Sequence, residues 1–221
     1  MATRFDLLVP LATIGGVNLP GGMVYYGKTL ALKADYAWTQ GAPVPRDEFE
    51  PRPVWQIAHL DAPAQNSLAT ASADPAAATL QAAAKAAKSN VSVALGAYHT
   101  RTAAITAAGV DGVDLAPNSA TLNAPPPEGA SSNRYPAASQ SVRIAATLRH
   151  TLPTDLGLDL GIAWSSDNAS VSVDQTGLVQ VLPGAAKGNA TIKATSRLDP
   201  ARSANASIDV SVYGDLGVRV R

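Results

Sequence analysis

The strongest constraint on the fold is an internal echo. The phrase AAKSNVSVAL runs from Ala86 to Leu95, and it returns as AAKGNATIKA from Ala185 to Ala194. A spacing of about one hundred residues is the length of one small β-sandwich domain. Because a chain of 221 residues has room for two such domains, the echo predicts that a whole domain has been duplicated.

Three further pairs of segments keep the same order in the two halves. GGVNLPGG is similar to DGVDLAPN, RPVWQIAHLD to LGIAWSSDN, and TAAITAAG to NASIDVSVYG. Their spacings vary by about a dozen residues, as insertions in surface loops produce. The duplication makes Trp55 and Trp164 equivalent. It divides the chain into an N-terminal arm (1–13), a divergent first domain (14–110), a second domain (111–214) and a C-terminal tail (215–221).

The second half has the pattern of a β-sandwich. SVRIAATLRH, GIAWSS, ASVSVD, GLVQVL, ATIKAT and ASIDVSV are short, rich in β-branched residues and largely alternating. The DQTG segment (174–177) predicts a type I turn that closes a hairpin, with Gly177 in the left-handed region. About seven such strands within about 100 residues are typical of an antiparallel sandwich. We therefore predict an all-β protein of two tandem antiparallel sandwiches, with Trp164 filling the space between the sheets of the second.

Residues 162–196 carry a family resemblance. They contain a Trp-Ser-Ser-x-Asn opening, a Val-Asp-x-x-Gly-Leu-Val hairpin and a Gly-x-Ala-x-Ile-x-Ala-Thr strand. This pattern resembles the bacterial Ig-like group 2 (BIG2) domain, and the likeness extends loosely over residues 113–212. It implies an Ig-like fold, which the internal repeat extends to the first copy. The predicted core residues include Trp55, Trp164, Val173, Gly177, Val179 and Ile192.

Two segments depart from the family pattern. The insert at 124–139 contains three consecutive prolines, which cannot pair in a central strand, so it predicts a long loop. In the first copy, DPAAATLQAAAKAAKSN (74–90) stands where the hairpin is expected. Asp74 suits a helix N-cap, Pro75 suits the first helical position, and alanine is the best helix former. This segment predicts a short alanine-rich helix, with a flexible alanine-rich loop as the alternative.

Composition excludes several classes of protein. The chain has no cysteine, which removes disulfides, thiolate catalysis and cysteine-ligated zinc. Lys plus Arg and Asp plus Glu number 17 each, so there is no basic footprint of a nucleic-acid binder. No segment approaches the roughly 18 apolar residues that predict a membrane span. Asp6 and Pro10 interrupt the N-terminal apolar run, so we expect neither a leader nor membrane contact.

No catalytic or metal-binding motif emerges. The three histidines, at 59, 99 and 150, lie in separate segments without ligand spacing, which favours structural or surface roles. Asp155 and Asp159 lack the dense oxygen pattern of a calcium loop, and they leave only weak calcium binding open. Asp47, Glu48 and Glu50 are nearly consecutive on a Pro-flanked segment, which indicates an exposed charged loop. We expect no enzyme, no cofactor and no metal.

The expected function follows from the family resemblance. Group 2 Ig-like domains occur in bacterial surface adhesins and as accessory domains on structural proteins of tailed bacteriophages. We therefore expect a non-enzymatic virion protein, a capsid decoration or a head or collar fibre, that folds in the host cytoplasm. The alternative is a bacterial surface adhesin or a secreted carbohydrate-binding module. Expected partners are the major capsid protein or another virion protein and further copies of the chain, with a host-surface glycan as a further candidate.

The N-terminal arm is the expected attachment point. If it were free in water, its apolar side chains would form an exposed patch of the kind that marks an interaction surface. The alternative is that the arm folds back as an extra strand of its own first domain. The predicted partner-binding residues are Phe5, Leu7, Leu8, Val9, Leu11 and Ile14.

Overall fold

A computed structural model describes most of the chain as two compact units. The described residues are 2–38, 52–61, 64–70, 73–96, 99–125 and 140–212. The first unit comprises residues 1–109 and 151–158, and the second comprises residues 110–150 and 159–221. The short segment from Thr151 to Leu158 therefore packs with the first unit, although it lies in the sequence of the second, and it contributes the buried Leu152.

The first unit consists of two four-stranded sheets and a small hairpin. One sheet has the order β1-β5-β8-β7, the other has the order β4-β10-β9-β6, and β2 pairs with β3. Within the described residues these strands are β1 (Ala2–Leu8), β2 (Thr13–Ile14), β3 (Val17–Asn18), β4 (Met23–Tyr25), β5 (Thr29–Trp38), β6 (Pro53–His59), β7 (Ser67–Thr70), β8 (Ala77–Gln81), β9 (Ala87–Leu95) and β10 (His99–Ala108).

The second unit is built from three sheets, with orders β11-β14, β13-β17-β16 and β12-β19-β18-β15. Within the described residues its strands are β11 (Val110–Ala116), β12 (Ser119–Asn123), β13 (Ser141–Arg143), β14 (Ala145–His150), β15 (Ile162–Ser166), β16 (Val171–Val173), β17 (Leu178–Val181), β18 (Gly188–Ser196) and β19 (Ser203–Ser211).

The two units share one strand plan. The sheet β4-β10-β9-β6 has the same order and pairing directions as β12-β19-β18-β15, including one parallel pair in each. β5 pairs with β8 along its first half and with β1 along its second, just as β13 pairs with β17 and β14 with β11. The sandwiches are therefore mixed rather than wholly antiparallel, and β1 is the counterpart of β11.

Strand pairing adjusts the sequence alignment of the repeats. Phe5 pairs with Tyr36 and Val113 with Leu148, which aligns RFDLL with GVDLA. GGVNLPGG, by contrast, contains the turn between β2 and β3 and has no such relation to DGVDLAPN. Trp55 pairs with Val93 of β9, and Trp164 pairs with Ala194 of β18. The structural alignment of β9 with β18 therefore differs by two residues from the sequence alignment of the repeated phrase.

Alternating burial explains why these segments form strands. In β9 every second side chain from Ala87 to Leu95 is buried, and β18 shows nearly the same alternation. Each large apolar side chain that is fully buried contributes roughly 1.5–3 kcal/mol. The core of the second unit includes Leu122, Ile144, Val171, Val179, Val181, Ile192, Ile208 and Val210.

The predicted alanine-rich helix is wrong. The segment from 74 to 90 contains a turn, strand β8 and the first residues of β9, and no helix occurs among the described residues. Ala78, Leu80 and Ala82 are buried on one side of the chain, so the segment alternates with a period of two. The core and the ladder with β5 outweigh the helix propensity of alanine, which is a weak local preference.

Some sequence expectations fall outside the described residues. The acidic cluster at Asp47, Glu48 and Glu50, most of the proline-rich insert and the tail at 215–221 are among them. Within the described part of the chain, no helix is long and apolar enough to cross a membrane.

Candidate binding site

The Asp-x-x-Gly motif forms a tight turn between β16 and β17. The amide of Gly177 donates to the carbonyl of Asp174 at 3.1 Å. The carboxylate of Asp174 accepts three further bonds, from the amide of Thr176 at 2.7 Å, its hydroxyl at 2.6 Å and the amide of Leu178 at 3.0 Å. These donors, led by the Thr176 hydroxyl and helped by the charge of Arg143, hold the pKa of Asp174 below its ordinary value.

Gly177 cannot be replaced without strain. Its φ is 78°, in the left-handed region that the motif predicts, which L side chains rarely adopt. A Cβ at this position would lie 2.9 Å from Cζ2 of Trp164 and closer still to the carbonyl oxygen of Ile144. The turn therefore packs directly against β13–β14 and against the indole of Trp164.

A groove of about 340 Å³ opens beside this turn. Its volume is within the range of small-ligand sites. Arg143 flanks it, and the guanidinium donates to the carbonyl and the hydroxyl of Thr176 at 3.0 and 2.8 Å. The groove is lined by Arg143, Ile144, Ala145, Ala146, Ile162, Trp164, Gln175 and Thr176. Both apolar surface and hydrogen-bonding groups are thus available to a ligand, whereas no ionisable pair suited to catalysis lines it.

Trp164 is the central side chain of this groove. It is partly buried and packs against the core of the second unit. Its Nε1 has no hydrogen-bond partner among the described residues, and the atom is not buried away from solvent. Cζ2, which borders the Nε1 edge of the indole, lies against Gly177. The indole N–H is therefore a donor that solvent or a ligand can reach.

The other predicted core residues lie in or against the two cores. Trp55 is 9% exposed, and its Nε1 donates to the carbonyl of Pro75 at 2.9 Å. Val179 and Ile192 are fully buried, while Val173 is partly buried against them.

The arm residues separate into buried and exposed groups. Residues 2–8 form β1, an edge strand of the first unit, which corresponds to the fold-back alternative. Phe5 is 4% exposed and contacts the ring of His99 with the centroids 6.3 Å apart. Leu8 and Leu11 are 44% and 56% exposed, whereas Leu7, Val9 and Ile14 are partly buried. The expectation of a free arm is therefore corrected: residues 2–8 form a strand, and Phe5 packs inside the first unit.

One cluster in the first unit has the composition of a catalytic triad but not its geometry. Nδ1 of His59 lies 3.4 Å from Oγ of Ser89, and Nδ2 of Asn66 donates to the same oxygen at 3.1 Å. Ser89 and Asn66 are each 1% exposed, so no substrate could reach the hydroxyl. Asn66 also accepts from the amide of Ala83. We interpret the cluster as a satisfied polar network within the sandwich.

The described residues hold no group of three or more His, Cys, Asp or Glu side chains that could bind a metal ion. Asp159 instead accepts from the amide of Gly161 at 3.0 Å and lies 3.9 Å from Arg197.

Strand order, pairing and cores thus define a protein built of Ig-like β-sandwich domains. Residues 139–201 match the family model of the bacterial Ig-like domain (group 2), which confirms the resemblance predicted from the Trp-Ser-Ser and Asp-x-x-Gly motifs. The matched residues lie mainly in the second unit. No curated protein matched the sequence.

Several solved structures are similar in fold at low sequence identity. The Escherichia coli adhesin FdeC is 11% identical over 96% of this chain and 66% of that chain, with a TM-score of 0.50. Invasin, a bacterial integrin-binding protein, is 11% identical over 93% and 38%, with a TM-score of 0.43. Three domains of the bacteriophage RB49 outer capsid protein Hoc are 14% identical over 95% and 59%, with a TM-score of 0.42. The chain spans less than two thirds of each of these structures.

Sequence reasoning missed the groove, and it gave the strand role of β1 only as the fold-back alternative. The likeness of RFDLL to GVDLA could have identified β1 as the first strand of the repeat. The groove has no sequence signal of its own, because it depends on where the Asp-x-x-Gly turn ends the ladder with β13.

Proposed function

We propose that the protein is a non-enzymatic virion structural protein of a tailed bacteriophage that displays Ig-like domains as a capsid decoration or a head or collar fibre. The observation that carries this proposal is the group 2 Ig-like match over residues 139–201, since the resemblance implies either virion proteins or adhesins. The absence of cysteine favours the virion. Both sandwiches must be stable without disulfides, as in the reducing cytoplasm where virion proteins fold.

Attachment to the particle would use the exposed apolar residues that follow Phe5. Leu8 and Leu11 are exposed near the end of β1, and burying each against a shell protein would contribute roughly 1.5–3 kcal/mol. Phe5 does not contribute, because it already lies in the first unit's core. Further copies of the chain remain the other expected partner, and sedimentation analysis of the purified protein would measure that association.

Detection of the protein in purified particles tests the virion proposal. We expect mass spectrometry to find it in density-gradient-purified phage, and immunogold labelling to place it on heads or collars. Protein found on the surface of intact bacteria and missing from particles would contradict the proposal and favour the adhesin.

A double variant tests the attachment surface. Leu8→Ser with Leu11→Ser should abolish co-sedimentation of added protein with particles that lack it, while the fold is retained. The matched control is Leu182→Ser, which changes an exposed leucine of the second unit and should leave co-sedimentation unchanged. If both variants lost co-sedimentation equally, or if neither lost it, this surface would be excluded as the contact.

A further inference from the structure

The groove of the second unit corresponds to a place that the first unit fills with its own chain. In the first unit the ladder between β5 and β8 passes Leu32, which pairs with Ala78, and continues until the amide of Ala34 donates to the carbonyl of Ala76 at 2.7 Å. The neighbouring carbonyl of Pro75 accepts from Nε1 of Trp55. Two adjacent carbonyls thus satisfy one backbone donor and one indole donor.

The ladder of the second unit stops one step earlier. Ile144, the counterpart of Leu32, donates to the carbonyl of Gly177 at 2.8 Å, and the chain then turns away through Asp174–Gly177. Alternate residues of a strand direct their N–H groups to the same edge. The amide of Ala146 therefore faces the edge that β17 has left, as that of Ala34 does in the first unit.

Two N–H donors of the second unit lack the acceptors that their counterparts in the first unit have. Ala146 lines the groove, and β17 supplies it no carbonyl among the described residues. Trp164 lines the same groove, and its indole N–H is unpaired within the described part of the chain. Both donors occupy the positions at which Ala34 and Trp55 hold the Ala-Asp-Pro-Ala-Ala segment of residues 73–77.

We propose that this groove binds an extended peptide segment of a partner protein, one that places two successive backbone carbonyls on Ala146 and Trp164. The peptide must have small side chains, because the first unit's own filler is alanine and proline. Main-chain pairing of this kind adds a strand to an exposed edge and depends little on side chains. The inference goes beyond the virion proposal and holds equally if the partner belongs to a cell surface.

The occupant's chemistry can be tested with the chain's own filler. The probe is a synthetic peptide of residues 73–79, Ala-Asp-Pro-Ala-Ala-Ala-Thr, added to the full-length protein with ¹⁵N-labelled tryptophan. We expect a saturable shift of the Trp164 indole signal and no shift at Trp55, whose N–H is already bound to Pro75. An all-D peptide of the same sequence should shift neither indole signal. Trp→Phe variants at each position assign the signals.

Removing one donor measures its share of the binding. Ala146→Pro deletes the amide that faces the groove and should weaken peptide binding about fivefold, as expected for one hydrogen bond. A spin label on the peptide gives a measurement that needs no variant, since it should broaden the amide signals of Ala146 and Thr176. Absence of a saturable shift, or broadening elsewhere, would overturn the proposal. A shift caused by monosaccharides and not by the peptide would also overturn it and assign the groove to a glycan.

Discussion

The turn before β8 and the turn before β17 begin in the same way and end differently. Asp74 and Asp174 each accept from the amide three residues later through the backbone carbonyl, and from the amide two residues later through the carboxylate. In the first unit the segment that follows lies along β5 and covers Trp55. In the second unit Gly177 turns the chain early and leaves a groove beside Trp164.

This difference shows that a few turn residues decide whether the N–H donors at a strand edge are paired within the domain or left open. The first unit satisfies its edge donors internally with an Asp-Pro-Ala-Ala turn. The second keeps an Asp-Gln-Thr-Gly turn that is rigid, because its aspartate accepts three bonds. Its neighbouring donors remain open, and an open donor at a strand edge is a template for pairing with another chain.

The first prediction tests whether β1 completes the first unit as β11 completes the second. Phe5→Ala should lower the free energy of unfolding by about 3–5 kcal/mol, the usual cost of truncating a buried Phe. Leu8→Ala on the same strand should change it by less than about 0.5 kcal/mol, because Leu8 is exposed. Urea unfolding, with hydrogen exchange of β5 to locate the effect, provides the measurement. Similar small costs for both variants would mean that β1 is not part of the core.

The second prediction concerns the glycine that opens the groove. Gly177→Ala should destabilise the second unit by about 3 kcal/mol, since the left-handed conformation penalises a Cβ and the Ile144 carbonyl leaves it no space. Gly184→Ala is the matched control in the same unit. Gly184 has φ of 74° and open space around it, so only the conformational cost of about 1–2 kcal/mol is expected. Equal costs, measured by denaturant unfolding, would show that the packing of Gly177 against Ile144 and Trp164 is unimportant.

The third prediction compares the two edge amides. Ala34→Pro removes the bond to Ala76 and leaves a carbonyl unpaired, which should cost about 2 kcal/mol. Ala146→Pro should cost less than about 1 kcal/mol, because proline is tolerated at strand edges where its missing N–H has no partner in the sheet. Thermal unfolding of both variants measures the difference. A larger loss for Ala146→Pro than for Ala34→Pro would mean that Ala146 is already paired.

The sequence predicted more of the second unit than of the first. The Trp-Ser-Ser opening and the Asp-x-x-Gly hairpin are local signals, and both identify the second unit correctly. In the first unit the alanines of residues 76–84 have a strong helix propensity, whereas the structure forms β8 because Ala78 and Leu80 are needed in the core. Such tertiary demands are not encoded in local propensity. The groove was missed for the same reason, because it depends on the length of a ladder between distant strands.

The smallest expected effect is the pH response of the turn in the second unit. The hydroxyl of Thr176 and the amide of Leu178 stabilise the ionised Asp174 and hold its pKa below the ordinary value. A carboxyl with a lowered folded pKa contributes stability that is fully present above its unfolded pKa, about 3.9. That contribution is lost as the pH falls through the lower folded pKa. Stability of the second unit, followed by hydrogen exchange, should therefore decline below about pH 4.

Asp174→Asn should remove this component of the decline. Thr176→Val, which deletes the leading donor, should move the Asp174 carboxyl titration measured by NMR toward the ordinary pKa. If the titration of Asp174 were the same in the wild type and in Thr176→Val, the hydroxyl would not be the donor that fixes the turn.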